Sequence, residues 1–445
     1  MHIILSPQIR KACQTLADAG FHAYIVGGAV RDSIMGVEPL DWDITTDALP
    51  NQIEELFTET IPTGKEFGTI TVLIKDEPIE ITTMRQDGPY SDGRHPDDVV
   101  FTNNIVLDLG RRDLTVNAVA YDPFDDSFID PFHGIKHIKR RRLVTVGEPQ
   151  ERFEEDPLRM LRLVRFQSTL GFSVDKKAIL AIRPELMARI SAERIQQEMT
   201  KLLLGHHLAP ALELLYHSGL MEKILPELAA GAGVQQGGRH CFDVLGHSIT
   251  AAQFIRPQLH LRWAALLHDI GKPVKAGRKH AQIGAELAED ILRRLRYSNQ
   301  LVAQVKSLIA NHMYEVHPYS SDRAMRRFVA KVGPKAALDL VELRRADIAG
   351  MYADPKQVIH YVQLMEARIR EILDADGALS LKDLDIDGTE LMKELHLKPG
   401  PLIGQILDYL LNLVLDDPTL NHKSLLLKQA RVFLNTLGEI LPPKV

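Results

Sequence analysis

The periodicity of apolar residues changes once along this chain, and that change limits the folds open to it. Up to about residue 145, short β-branched runs bounded by Gly, Pro or Asp alternate with helical stretches. Residues 22–26, 69–74 and 79–83 predict strands, and residues 7–19 and 50–57 predict helices. Beyond about 150 the β-like runs almost vanish and a helical period continues to the C-terminus. The expected fold class is α+β and multidomain: an N-terminal head with a small β-sheet and helices, then an all-α neck, body and tail. Residues 231–238, rich in Gly and Gln, read as a linker or loop, and residues 374–377 as a second punctuation.

The 445 residues leave room for about three domains. No apolar run approaches the ~18 residues of a membrane span, so no membrane role is expected. The first residues lack the charged and apolar regions of a secretory signal. Cys13 and Cys241 are too few for a disulfide framework and no CxxC zinc pattern exists, so a reducing cytoplasm is the expected location. The net charge of −6 offers no global basic field for nucleic acid, and any such site must be a local concentration of Lys and Arg.

Gly27 and Gly28 follow a predicted strand and precede a predicted helix, a place where backbone approaches a ligand closely and helix N–H groups face phosphate. Alone, such a turn is ordinary turn chemistry. Asp41 and Asp43 lie shortly downstream; on an extended segment, residues two apart share a face and the two carboxylates project together. Their repulsion is relieved by a divalent metal. Glu80, in a later strand-like run, supplies a third carboxylate. Gly-Gly, Asp-x-Asp and a strand acid make the layout of a two-metal phosphoryl-transfer site, with Mg²⁺ the expected ion.

Residues 27–32 (GGAVRD) with Asp41 and Asp43 resemble the nucleotidyltransferase signature of bacterial tRNA nucleotidyltransferases, the CCA-adding enzymes, and their poly(A) polymerase relatives. Three further blocks are similar to that family in its order. Residues 111–118 (RRDLTVNA) resemble its ribose-recognition motif, with Leu114 where Phe is usual. Residues 130–134 (DPFHG) resemble its hinge motif. Residues 155–159 (EDPLR) with Arg162 and Arg165 resemble its nucleotide-selecting helix, and the likeness closes at residues 192–195 (AERI). The resemblance implies catalytic Asp41, Asp43 and Glu80, with nucleotide contacts from Gly27, Gly28, Arg31, Arg112, Asp113, Asp156, Arg159, Arg162 and Arg165.

Asp156-Pro157 also reads as a helix start, with Asp as cap and Pro at the first helical position. Arg159, Arg162 and Arg165 then form a basic stripe beside Leu158, Leu161 and Val164. Cytosine and adenine share an exocyclic amine next to a ring-nitrogen acceptor. A carboxylate accepting from the amine and an arginine donating to the ring nitrogen admit CTP and ATP and reject GTP and UTP. The resemblance gives those two roles to Asp156 and Arg159. Residues 85–96 look like the family's flexible loop, linked there to the final A addition, which argues against a CC-only enzyme. Lys136, Lys139, Arg140, Arg141 and Arg142 form a basic cluster suited to RNA phosphate, and Arg323, Arg326, Arg327, Arg344 and Arg345 form others.

His268-Asp269 ends an apolar helical run, with His247 upstream and Asp347 downstream; the set resembles an HD metal-phosphohydrolase domain, and His280 and His312 add ligands in the manner of two-metal members. Imidazole and carboxylate without thiolate suit Ni, Mn or Co. Residues 401–407 resemble the family's tRNA-elbow contact region. The expected division is 1–146 head, 147–228 neck, 229–350 HD domain and 351–445 helical tail. The function expected is template-independent addition of CCA to tRNA 3′ ends with CTP, ATP and Mg²⁺. Three rivals stand beside it: an A-only enzyme or poly(A) polymerase, an HD phosphohydrolase with a vestigial head, and a non-enzymatic RNA-binding scaffold.

Overall fold

Ser6 accepts the amide of Ile9 at 3.2 Å and Pro7 occupies the first helical position, so the first helix, α1 (Pro7–Asp18), starts where Ser and Pro direct it. The computed structural model describes residues 2–88, 99–237, 241–274, 279–351, 356–375 and 378–440. The chain divides into two compact units, Met1–Ala229 with Arg294–Arg296, and Ala230–Arg293 with Tyr297–Val445.

In the first unit, β1 (Ala23–Val26), α2 (Gly28–Met35), β2 (Asp43–Thr46) and α3 (Pro50–Leu56) are followed by β3 (Thr60–Gly64), β4 (Thr69–Ile74) and β5 (Glu77–Thr83). After β6 (Arg85–Asp87), β7 (Val99–Phe101) and α4 (Ile105–Gly110) come β8 (Ala120–Asp122) and β9 (Ser127–Ile129). Seven strands make one mixed sheet in the order β3-β4-β5-β2-β1-β8-β9. The pair β2–β5 is parallel and its neighbours are antiparallel. Ile25, Ile44, Ile70, Val72, Ile79 and Ile81 are buried along these strands. The expected strands at 69–74 and 79–83 fall within β4 and β5. The short β3, β8 and β9 carry too little alternation to be read from sequence, and pairing alone defines them.

After α5 (Gly134–Lys139) and the two-residue β10 (Arg142–Leu143), the neck is helical: α6 (Pro149–Glu155), α7 (Leu158–Leu170), then a short β11 (Ser173–Val174) and α8 (Lys176–Leu180). It closes with α9 (Ala192–Leu203), α10 (Leu208–His217), α11 (Leu220–Ile224) and α12 (Pro226–Ala229). Helix α7 packs on α9 and α10, burying Met160, Leu161, Leu163 and Val164 against Met199, Leu202, Leu203 and Leu212. The helix start expected at Pro157 lies one residue later: Asp156 closes α6, and Pro157 stands just outside α7.

The second unit is all-α: α13 (Val244–Phe254), α14 (Leu259–Leu267), α15 (His280–Arg294), α16 (Asn299–Asn311), α17 (Asp322–Val332), α18 (Pro334–Met351) and α19 (Lys356–Asp374), then α20 (Gly388–Leu395), α21 (Pro401–Asp416) and α22 (Lys423–Ile440). Helix α13 lies against both α14 and α18. The tail has its own core of Leu391, Ile406, Leu410, Val414 and Leu426. No helix among the described residues is long and apolar enough to cross a membrane.

Candidate functional site

Strand β1 ends at Val26, and Gly27 turns the chain with φ +73°; a Cβ there would lie 3.0 Å from Asp43 Oδ2 and 3.3 Å from Arg112 Nη1. Only glycine fits both that backbone and that crowding. Sheet register places Val26 opposite Asp43 and Asp43 opposite Glu80, so two acids become neighbours through β2–β5 pairing. Asp41 lies on a bend just before β2, so it reaches the site from outside the strand rather than by strand alternation. All three acids line a cavity of about 1190 Å³. Burial raises the pKa of Asp43, with Asp41 adding to it and Arg112 opposing. Burial, then Asp43 and Asp41, likewise raise Glu80. Carboxylates that disfavour one another's ionisation in one cavity suit a divalent cation.

Arginines tied to acids form another wall of the cavity. Arg31 bonds Asp32 through Nε and Nη2 at 2.8 and 3.0 Å and donates from Nη1 to Asn117 Oδ1 at 2.7 Å. Asp113 accepts from the Leu114 amide at 2.8 Å, Asn117 Nδ2 at 3.2 Å and Arg162 Nε at 2.7 Å. Burial alone would raise Asp113, but Arg162 and these donors hold it well below the usual carboxylate range. Arg165 lies 3.7 Å over the Phe166 ring, with Nε 2.7 Å from Glu198 Oε2. Neither of those two atoms is aligned for a hydrogen bond, so theirs is a charge contact. Burial lowers Arg165 to about 10. The stripe expected along α7 is thus present and largely neutralised by Asp113 and Glu198 from other elements.

Asp156 faces the cavity with both oxygens engaged: Oδ1 accepts the Leu158 amide at 3.1 Å and Oδ2 accepts Arg194 Nη2 at 2.9 Å. It therefore caps the start of α7 and also stands at the cavity wall. Arg159 donates to Glu155 Oε2 at 2.8 Å and to the Arg111 carbonyl at 2.9 Å. Arg194, within the 192–195 block of the resemblance but given no role there, lines the cavity, and Glu198, one turn on along α9, was not singled out and reaches the site through Arg162 and Arg165. The signal for Glu198 is its charge opposite to Arg194 at i+4 on an otherwise amphipathic helix.

In the second unit, the expected histidines and aspartates meet in two groups, His247, His268 and Asp347, and Asp269, His280 and His312, all buried. His247 Nε2 lies 3.0 Å from His268 Nε2 and 3.2 Å from Asp347 Oδ1. Asp269 faces both groups: Oδ2 is 3.3 Å from His268 Nε2, and Oδ1 is 3.3 Å from His280 Nε2 and 3.9 Å from His312 Nε2. The Nδ1 atoms of His268 and His312 reach the carbonyls of Ala265 and Ile309 at 2.8 and 2.7 Å, which orients both Nε2 atoms into the cluster. Burial would depress His268, yet Asp269 and Asp347 outweigh it and lift it to about 10, while His312, buried beside His268, falls to about 4. A Cβ on Gly271 would lie 2.3 Å from the His280 carbonyl oxygen, so the glycine after the His-Asp pair permits the approach of α15. Lys272 Nζ, 2.5 Å from Asp269 Oδ2, is an additional neighbour.

Other expected contacts divide. Lys136, Lys139, Arg140, Arg141 and Arg142 are exposed, with Arg142 paired to Asp175 and Arg141 over the Phe172 ring. The later arginines make pairs within the chain. Arg323 and Arg327 pair with Asp416 at 2.8 and 2.7 Å, and Arg326 donates to the Leu415 carbonyl at 2.8 Å, binding α17 to the end of α21. Arg344 donates to the His312 carbonyl at 2.9 Å, and Arg345 pairs with Glu342 at 2.6 Å. The loop expected at 85–96 begins in the β6–β7 hairpin, and its residues 89–96 lie outside the described residues.

A mixed sheet carrying Asp43 and Glu80, with Asp41 just before β2 lining the same cavity, beside a glycine turn and an arginine-lined helix defines a nucleotidyltransferase head joined to a helical body. The family model for the poly(A) polymerase head domain matches residues 23–144. The model described as "Probable RNA and SrmB- binding site of polymerase A" matches residues 171–231, and one for tRNA nucleotidyltransferase domain 2 matches residues 279–430. The CCA-adding enzyme of Geobacillus thermodenitrificans is 36% identical over 91% of each chain. That of Bacillus subtilis is 34% identical over 95% of this chain and 96% of its own. The crystal structure of the Bacillus stearothermophilus CCA-adding enzyme in complex with CTP superposes with TM-score 0.77 at 29% identity, covering 98% of this chain and all of that one. The chain belongs to the CCA-adding enzyme family of nucleotidyltransferases.

Proposed function

We propose that this chain adds C, C and A to tRNA 3′ ends from CTP and ATP, without a nucleic-acid template. The observation that carries this reading is that Asp41, Asp43 and Glu80 line one cavity together with Asp156 and Arg159. Family members use divalent metals, and Mg²⁺ bound by the three acids would neutralise phosphate charge and favour ionisation of the attacking 3′ hydroxyl. The chain's own residues bind and select. The Gly27–Gly28 turn and the start of α2 offer backbone N–H groups to the triphosphate, and Arg112 adds charge. Asp156 accepts from the exocyclic amine of C or A, and Arg159 donates to the adjacent ring nitrogen. An oxygen at that position, as in U or G, meets a carboxylate and is refused.

The division into head (1–146), neck (147–228), HD domain (229–350) and tail (351–445) accompanies this reading, with tRNA phosphate held at the 136–142 cluster. The reducing cytoplasm is the proposed location, in keeping with the unpaired Cys13 and Cys241. The test is to incubate purified protein and Mg²⁺ with tRNA lacking its 3′ end and with CTP, ATP or both, and to read product length. Two additions with CTP and three with both are expected; additions with ATP alone on tRNA ending in CC, and none with CTP, would identify an A-only enzyme.

A second reading is favoured by the two histidine–aspartate groups that share Asp269: a metal-dependent phosphohydrolase site holding Ni, Mn or Co, independent of the head. Hydrolysis of a phosphomonoester or cyclic phosphodiester on adding one of these ions, lost in Asp269→Ala, is expected. No hydrolysis with any of the three would leave the cluster a structural element.

A further inference from the structure

Reading across the sheet along one register row gives an ordered series of chemical groups. Val26, which precedes the Gly27–Gly28 turn, pairs with Asp43; Asp43 pairs with Glu80; Glu80 pairs with Thr71 on β4. On β3 the register partner of Thr71 is Ile61, and an irregularity between Ile61 and Gly64 accompanies the approach of the Thr63 hydroxyl to 2.8 Å from that of Thr71. Two residue pairs along, and so on the same face, Thr82 and Thr69 stand opposite each other with hydroxyls 3.0 Å apart. All four threonines line the same cavity as the three acids. The order is therefore glycine turn, acids, hydroxyls. Strands lie ~5 Å apart, so Thr71 and Thr63 stand about one and two strand spacings beyond Glu80, roughly the reach of one nucleotide.

We infer that the Thr63–Thr71 and Thr69–Thr82 hydroxyl pairs seat the terminal nucleotide of the RNA being extended. The inference rests on the proposed CCA addition. In-line displacement at the α-phosphate requires the 3′ hydroxyl to approach from the side opposite the departing pyrophosphate. With the triphosphate at the glycine turn and the acids at the reacting phosphate, the open side is the threonine wall. Its chemistry fits what must sit there. The acceptor nucleotide changes at each step, first the tRNA's own last base and then C twice, so its seat has to ignore the base. Threonine hydroxyls bond sugar and phosphate oxygens, which every nucleotide has, and add no charge beside three carboxylates. Within each pair one hydroxyl proton is spent on the partner and the other remains to be donated. Phe67 lines the same part of the cavity and supplies an aromatic surface, and stacking tolerates any base.

The test compares wild type with Thr63→Val and with the double substitution Thr63→Val, Thr71→Val, swaps that keep shape and strand propensity. Acceptors are tRNA transcripts ending before CCA, after one C and after two. We expect kcat/KM for RNA to fall about fivefold to twentyfold in the double variant, by the same factor for all three ends. KM for CTP and ATP, and the melting temperature, should be unchanged. Unchanged RNA kinetics, a raised KM for the nucleotides, or a loss confined to one acceptor base would each overturn the inference. Failure of the wild type to extend any of the three RNAs would instead overturn the proposed function beneath it.

Discussion

Gly27 and Asp156 show how much of this site depends on single atoms. At Gly27 a methyl group would enter 3.0 Å from Asp43 Oδ2, at a φ that L-residues avoid. Gly27→Ala is expected to cost about 1–2 kcal/mol of strain and to displace the carboxylate, lowering kcat for nucleotide addition about a hundredfold. Single-turnover incorporation beside a thermal melt checks both parts, and wild-type rates would show that the turn tolerates a Cβ. Asp156 has one oxygen on the Leu158 amide and the other on Arg194. Asp156→Asn keeps only one of these acceptors, so a loss of about 1 kcal/mol in stability is expected. If the carboxylate also reads the base, discrimination against UTP and GTP falls roughly tenfold or more, since the amide offers N–H donors to O4 or O6. Single-nucleotide incorporation with all four triphosphates measures it. A stability loss with unchanged nucleotide ratios would leave Asp156 a cap.

Helix α7 owes its position to charge pairs from outside its own sequence. Arg162 is held by Asp113, and Arg165 faces Glu198 of α9. The pKa of Asp113 lies below its unfolded value of about 3.9, so its contribution to stability is fully present above that value. It is lost as pH falls from there toward the folded pKa. Asp113→Asn is therefore expected to destabilise the protein by about 2 kcal/mol at pH 7, discounted for the one-third exposure of Arg162, with the gap to wild type narrowing at pH 3. Melts at the two pH values decide it, and a gap that widens in acid would contradict the assignment. This wiring was only half legible from sequence. Arg159, Arg162 and Arg165 stand out as a stripe at i+3 steps, but Asp113 lies 49 residues before Arg162, and no local pattern says which acid neutralises which arginine.

At the scale of the whole molecule, the two chemical centres belong to different units, the carboxylate cavity to Met1–Ala229 and the histidine–aspartate groups to the unit beginning at Ala230. They are expected to fail separately. Asp43→Ala should abolish nucleotide addition, a loss of at least about a thousandfold, and leave tRNA binding and any metal-dependent hydrolysis intact. Asp269→Ala should do the reverse. Product-length gels, filter binding and a phosphatase assay on both variants check this, and loss of nucleotide addition in Asp269→Ala would show that the centres are coupled.

Local pattern determined the strands at 69–74 and 79–83, the helices at 7–19 and 50–57 to within a residue, and the Gly-Gly turn, because periodicity, caps and turn residues act within a few positions. Motif order also singled out the three acids, helix α7 and the six histidines and aspartates as individual residues. Tertiary structure decided which of them meet. Parallel pairing of β2 with β5 set Asp43 beside Glu80, and antiparallel pairing of β4 with β5 carried the row on to Thr71. The orientation of Asp269 between two histidine groups was likewise decided by the packing of α13, α14, α15 and α18. Strand register and helix packing are long-range choices, fixed by burial of the opposite face, so they are written in the sequence as a whole and in no stretch of it.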